Sequence, residues 1–177
     1  EEIPGRWPER YVLQSLLKRE VFGVASGKAE FGPRALGNRS LMADPRGQEM
    51  KDRVNAIKQR QKFRPFAPIV LEEYARDWFD LPSPGISYPY MQFVAKCKRP
   101  NEVPAIVHAD GTSRVQTVNE HLHPELYRTM KKFFEKTKCP IVLNTSLNIK
   151  GQPIVNTVAD AEAFSRMYGV PVYTDDK

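Results

Sequence analysis

The sequence predicts an α/β fold with a mixed, twisted sheet at its centre and helices along its flanks. Three observations support this. Short apolar runs bounded by turn residues alternate with longer segments whose apolar positions recur at helical spacing. The 177 residues are 41% hydrophobic and 27% charged, enough to bury a core within a single domain over residues 1–177. Neither an internal repeat nor a low-complexity tract breaks the alternation.

Residues 8–20 place Tyr11, Val12, Leu16 and Leu17 on the apolar side of a helix that Pro8 opens. Val21 to Ala25 reads as a short strand. Beyond a glycine-rich turn, Leu41-Met42-Ala43 reads as another, closed by Asp44-Pro45. Residues 47–57 align Met50, Val54 and Ile57 as the stripe of a second helix. Phe66 to Leu71 is a strand and Glu72 to Phe79 a helix, followed by the loop LPSPGISYP. Tyr90 to Cys97 and Thr112 to Val118 are strands, the latter entered through an Asp110-Gly111 turn. His123-Pro124 leads into a helix reaching about Lys138, with Leu126, Met130, Phe133 and Phe134 as its apolar face. Ile141-Val142-Leu143 is a buried strand and Val158 to Tyr168 the last helix.

Several function classes find no support. No apolar run approaches the roughly 18 residues of a membrane span, and no charged start leads into a signal segment. Cys97 and Cys139 form neither a disulfide framework nor a zinc knuckle and read as reduced thiols of a cytoplasmic protein, Cys139 in the core. Gly27 and Gly32 have phosphate-loop spacing, but Pro33-Arg34 follows where Lys-Ser/Thr is required. There is no G-x-G-x-x-G and no G-x-S-x-G. His108, His121 and His123 lack metal-ligand spacing on a helix and read as surface or turn residues.

The net charge of +6 is concentrated. Residues 28–64 hold ten Lys or Arg against four acids, and the rest of the chain is balanced. Because these cations are interleaved with Gly, Pro and Phe, a focused anion site is favoured over a solvated face. Pro33 suits the first turn of a short helix, with Gly32 allowing close approach of an anion, and Arg34 and Arg39 would add bidentate donors. Lys58 and Arg60 point the same way only in an extended chain, so the second helix is expected to end before Lys58. The plainer reading makes them helix-end cations that complement the macrodipole.

A second constellation follows the strand at Ile141. Asn144, Ser146 and Asn148 alternate, so an extended backbone would aim all three at one ligand beyond the strand's carboxyl end. A cap-and-turn cluster satisfying its own backbone is the alternative, and both stay open. Between the two constellations, Thr112, Arg114 and Gln116 would share a strand face, which makes Arg114 a further anion ligand.

Five stretches in this order, EFGPRALGNRS, ADPR, the IKQR…FRPFAP run, HADGTSRVQTV and VLNTSLNIKGQPI, resemble the C-terminal domain of the NodU/CmcH-type O-carbamoyltransferases, a family of nodulation and antibiotic-tailoring enzymes. The resemblance spans about residues 20–163. It implies a YrdC-like α/β fold in which a K-x-R and an S-x-N pair hold ATP and an acyl-adenylate. Lys58-Gln59-Arg60 and Ser146-Leu147-Asn148 match those patterns. The implied chemistry takes carbamoyl phosphate and ATP, with magnesium, to carbamoyl-adenylate and pyrophosphate. Lys58, Arg60 and Arg114 then form the catalytic set, and Arg34, Arg39, Arg64, Asn144, Ser146 and Asn148 contact substrate or nucleotide. No protein carboxylate or histidine cluster is implied as a metal site. The carbamoyl group is passed to a hydroxyl of a small-molecule acceptor in an N-terminal transferase domain with metal-binding histidines, to which nothing here corresponds. Lys28-Ala29 stands where the family has Arg-Met, and SRMYGVPVYTDDK departs from the family's ending. The opening EEIPGRW reads as a piece excised from a longer protein.

Two rivals remain. A basic face with Phe63, Phe66 and Tyr74 could bind single-stranded RNA by charge and stacking, provided the rings are exposed; Phe63 and Phe66 are expected in the core, which makes nucleic acid the weaker reading. A non-catalytic interaction domain would be stabilised by neither ATP nor carbamoyl phosphate.

Overall fold

Phe22–Ala25 (β2) forms four residues of unbroken burial, and its neighbours show why a sheet centres the molecule. The computed structural model describes residues 2–28, 36–59, 65–82, 93–149 and 151–175. Arg34, Arg60, Arg64, Phe63, the expected helix at Pro33 and most of the LPSPGISYP loop lie outside the described residues. The remaining strands are Glu2–Ile3 (β1), Gly27–Lys28 (β3), Arg39–Ala43 (β4), Ala67–Leu71 (β5), Phe93–Lys96 (β6), Thr112–Val118 (β7), Ile141–Ser146 (β8) and Val172–Tyr173 (β9). Seven of them make one sheet in the order β6-β7-β5-β8-β4-β2-β9, while β1 and β3 form a separate antiparallel pair. The β5–β7 and β2–β9 pairs are parallel and the others antiparallel. The sheet is therefore mixed, as predicted.

The helices are Glu9–Leu17 (α1), Gln48–Lys58 (α2), Ala75–Trp78 (α3), Pro124–Thr137 (α4) and Val158–Tyr168 (α5). Pro8 stands at the N-cap of α1, and Val12 and Leu16 are buried as expected, whereas Leu17 is exposed. The expected helix at Glu72 begins as a 3-10 turn, Glu72–Tyr74, before α3. In α4, Leu126, Met130 and Phe133 are fully buried. Thr157 and Asp160 cap α5 reciprocally, each side chain accepting from the other's end of the first turn. No described helix is long and apolar enough to cross a membrane.

Three expectations are corrected. Helix α2 does not end before Lys58 but includes it, because the turn that stops it is Gln59, left-handed at φ 57°, whose N–H returns to Ala56 O and Asn55 O. His123 is not a surface residue: it is 8% exposed and caps α4, its Nδ1 accepting from Leu126 N–H at 3.2 Å. The basic segment is also partly structural. The carboxylate of Asp44, with no exposed surface, is gripped by Arg46 through Nε at 3.0 Å and Nη2 at 2.7 Å, so this cation serves the Asp-Pro corner. Arg46 is thereby placed over the Phe133 ring at 5.9 Å.

Lastly, the divergent end of the chain joins the sheet. Val172 pairs with Gly23 and Tyr173 with Val24. Gly23 permits this, since a Cβ there would stand 2.8 Å from Leu147 Cδ1 and 3.0 Å from a Val172 methyl. The Tyr173 ring stacks on Tyr11 at 5.3 Å, and its hydroxyl lies 2.7 Å from Ser15 Oγ. Two residues on, Asp175 Oδ1 accepts from Arg6 N–H at 3.0 Å.

Both cysteines are free and buried. Burial pushes the Cys139 thiol up to about 12 and raises that of Cys97, so neither forms much thiolate near neutrality. Titration with a thiol reagent at pH 8 is expected to find both cysteines slow in the native protein and both fast in denaturant. Rapid native labelling of Cys139 would contradict the packing beneath α4 and β8.

Candidate functional site

The site forms where β8 leaves the sheet. This strand lies between β5 and β4, with Asn144 opposite both Ala67 and Met42, and Ser146 opposite Ser40. Strand alternation puts Asn144 and Ser146 on one face and Thr145 on the other. Asn148 reaches the same cluster through a turn and not through a continued extended chain, since its N–H donates to Ser146 O at 3.0 Å. Asn144 is 4% exposed, deeper than its two successors.

Helix α2 delivers the cation. Lys58 occupies its last turn and is only 5% exposed. Its Nζ donates to Ser146 O at 2.8 Å and to Asn148 Oδ1 at 2.8 Å, and it lies 3.3 Å from Ser146 Oγ, although Lys58 and Ser146 are 88 residues apart in sequence. Ser146 Oγ in turn donates to Asn148 Oδ1 at 2.6 Å, and Asn148 Nδ2 donates to Gln152 O at 3.0 Å. A buried ammonium, a hydroxyl and an amide are thus fixed together before any ligand arrives. Their donors are turned on one another, so an incoming ligand would have to take over hydrogen bonds that Lys58 Nζ and Ser146 Oγ already make.

The other expected residues are placed differently. Arg39 is 2% exposed, and its guanidinium donates to four carbonyls: Ser26 at 2.8 Å, Asn38 at 2.9 Å, Gly27 at 3.3 Å and Asn156 at 3.2 Å. This is a strut holding loops together, one strand away from Ser146. Arg114 is exposed on β7, opposite Val94. Ile69 pairs with both Gln116 and Val142, so two residues along Arg114 and Asn144 share a row and a face, two strand spacings or about 10 Å apart. Gln116, on the same strand face as Arg114, is buried.

A groove that sequence reasoning missed opens beside Asn148. It holds about 210 Å³ and is walled by Pro153, Ile154, Phe164, Met167 and Tyr168. Its apolar lining is split between a loop and the far end of α5, and no single stretch of sequence announces it. Met167 stands 70% exposed at its mouth.

With this geometry in view, comparison with known proteins is direct. A model of the carbamoyltransferase C-terminus matches residues 13–173. The chain belongs to that family. Nodulation protein NolO of Bradyrhizobium diazoefficiens is 48% identical over 144 residues, covering 80% of this chain and 26% of NolO. The 3'-hydroxymethylcephem-O-carbamoyltransferase of Amycolatopsis lactamdurans is 34% identical over 173 residues, covering 94% of this chain and 32% of that enzyme. The chain thus spans about a quarter to a third of the length of these relatives. Among solved structures, HypF in its phosphate- and nucleotide-bound form superimposes with a TM-score of 0.68 at 15% identity, over 94% of this chain and 24% of HypF. A P.abyssi Sua5 variant superimposes with a TM-score of 0.61 at 13% identity, over 95% of this chain and 46% of Sua5. The fold of this carbamoyltransferase C-terminal domain is YrdC-like.

Replacing Arg39 with leucine leaves buried carbonyls without their donor and is expected to cost about 3 kcal/mol of stability, measured by urea unfolding. A loss below about 0.5 kcal/mol would show that the strut carries little of the fold.

Proposed function

We propose that this domain is the carbamoyl-adenylate-forming half of an O-carbamoyltransferase, binding ATP and carbamoyl phosphate at the Lys58–Ser146–Asn148 cluster. The observation that carries the reading is the meeting of Lys58 from α2 with Ser146 and Asn148 from the exit of β8, within 2.6–3.3 Å of one another, in a chain of the carbamoyltransferase family. In this reading carbamoyl phosphate is hydrolysed to carbamate and inorganic phosphate. A carbamate oxygen then attacks the α-phosphorus of ATP, the bond to the β-phosphate oxygen breaks, and pyrophosphate leaves. On an N-terminal transferase domain, a hydroxyl of a small-molecule acceptor loses its proton and attacks the carbamoyl carbon, the bond to the adenylate oxygen breaks, and AMP leaves.

Each residue has a physical task in this scheme. Two polyanions must share one pocket, and their repulsion is strong once water is thinned. Lys58, with Arg60 supplied by the K-x-R pattern, offsets it. Ser146 and Asn148 hold phosphate or ribose oxygens with neutral hydrogen bonds. Arg34, Arg64 and the exposed Arg114 are assigned to the phosphates or the carbamoyl group on the strength of the sequence pattern, while Arg39 acts indirectly through the loops it ties together. The apolar groove beside Asn148 suits a flat base attached to a phosphate held at Lys58.

Magnesium commonly reaches such sites on the nucleotide itself. Among the described residues no group of three or more His, Cys, Asp or Glu side chains could hold an ion, and the reading assigns the metal to phosphate oxygens. Stacking of RNA finds no support from two of the three aromatics that suggested it. Phe66 is 3% exposed, and Tyr74 packs on Phe134 at 4.4 Å between ring centres.

Pyrophosphate release from ATP and carbamoyl phosphate tests the proposal. Lys58→Ala and Ser146→Ala are expected to leave the fold intact, with Lys58→Ala weakening ATP binding about 10- to 100-fold. Equal ATP affinity and equal release in wild type and both variants would remove the assignment. The groove has its own test: Met167→Ala should weaken ATP about three- to tenfold yet leave inorganic triphosphate binding unchanged, whereas Lys58→Ala weakens both. Loss of triphosphate binding on Met167→Ala would instead indicate a general disturbance of the site.

A further inference from the structure

Of the three histidines, none of which the proposed chemistry uses, His123 is the buried one, and both of its ring nitrogens are committed. Nδ1 accepts from Leu126 N–H at 3.2 Å, capping α4, which leaves the proton on Nε2. Nε2–H therefore donates to Asn38 Oδ1, 3.1 Å away and 85 residues earlier in the chain. Burial holds the imidazole below its ordinary pKa against the pull of Glu125, whose Oε2 lies 3.4 Å from Nδ1. The ring edge meets Trp7 at 5.3 Å and 76°, and Trp7 Nε1–H donates to Gly37 O at 3.1 Å. Gly37 sits at φ 92°, which disfavours a side chain, and a Cβ there would crowd His123 Nε2 at 3.2 Å and Leu126 Cδ2 at 3.1 Å. The pair Gly37-Asn38 is therefore gripped between Trp7 and the start of α4.

From Asn38 the hydrogen bonds lead directly to the candidate site. Asn38 O accepts from Ser26 N–H at 2.9 Å and from Arg39 Nη1 at 2.9 Å. Arg39 carries its guanidinium to Asn156 O, while its own carbonyl accepts from Leu147 N–H at 3.1 Å. Leu147 lies between Ser146 and Asn148, the two residues that meet Lys58. Leu147 O in turn accepts from Val155 N–H at 3.0 Å, at the groove. A continuous series of hydrogen bonds thus runs from α4 to the exit of β8.

We propose that His123 is a positioning residue for the Lys58–Ser146–Asn148 site, acting through Asn38 and Arg39 to fix the backbone at Leu147. Its effect on substrate binding rests on the anion-binding reading of that cluster, but its effect on geometry does not. An asparagine at 123 separates the two tasks of the histidine, since asparagine is a strong N-cap yet too short to reach Asn38.

The experiment compares His123→Asn, Asn38→Ala and the double variant with wild type, by hydrogen exchange of the Leu147 and Leu126 amides, thermal melting and ATP titration. Each single variant should speed exchange at Leu147 about tenfold or more while leaving Leu126 in α4 protected and the melting temperature within a few degrees. The double variant should be no worse than either single one, because both remove the same contact. ATP affinity should fall about 5- to 20-fold in all three, the size of one positioning contact. Unchanged Leu147 protection in a folded His123→Asn would overturn the proposal and leave His123 a helix cap only. If wild type binds no ATP, the proposed function fails while exchange at Leu147 still decides the role of His123. If Leu147 exchanges faster but ATP affinity is unaltered, the geometric coupling stands and its claimed consequence for the site is overturned.

Discussion

The position of one strand end governs the rest of the site. Strand β8 is hydrogen-bonded on both sides, to β5 and to β4, so its backbone has no freedom to slide without breaking two ladders at once. A one-residue shift would also turn Asn144 and Ser146 to the opposite face. Register therefore decides whether the hydroxyl and amide stand where α2 brings a lysine to them. Ile141, Val142 and Leu143 are fully buried, so both faces of β8 are packed over its first half and a slipped strand would have to repack both at once.

The basic stretch that dominates the sequence divides into cations with separate tasks. Arg46 closes the corner at Asp44, Arg39 ties four carbonyls, and Arg53 donates to Arg19 O at 2.9 Å. Among the described cations of this stretch, Lys58 is the one whose ammonium meets the exit of β8. A charge count along a chain thus overstates the field available to a ligand, because guanidinium groups also serve as multidentate struts for backbone carbonyls. Within about twenty residues of sequence, from Arg39 to Lys58, the stretch holds both backbone struts and the ammonium that meets Ser146 and Asn148.

Much of this architecture is legible in the sequence. The strands at Val21, Leu41, Thr112 and Ile141 and the helices at His123 and Val158 follow from apolar spacing and turn chemistry, and they lie where expected to within a few residues. The meeting of Lys58 with Ser146 is legible through the paired motifs. The features that escape sequence reasoning depend on contacts between distant segments. The left-handed turn at Gln59 carries no glycine to announce it, so the extent of α2 is understated by residue pattern alone. His123 looks like any turn histidine until Asn38 and Trp7 are brought against it. The burial of Arg39 likewise depends on Asn156, more than a hundred residues away. Strand β9 is recognisable only beside β2, because two residues next to a glycine turn have no periodicity of their own.

The last strand has one more consequence. Asp175 receives the N–H of Arg6, and Tyr173 lies on Tyr11, so the end of the described chain is tied both to the segment ahead of α1 and to α1 itself. Release of the last strand would free that segment as well, so the two ends of the described chain are held or lost together.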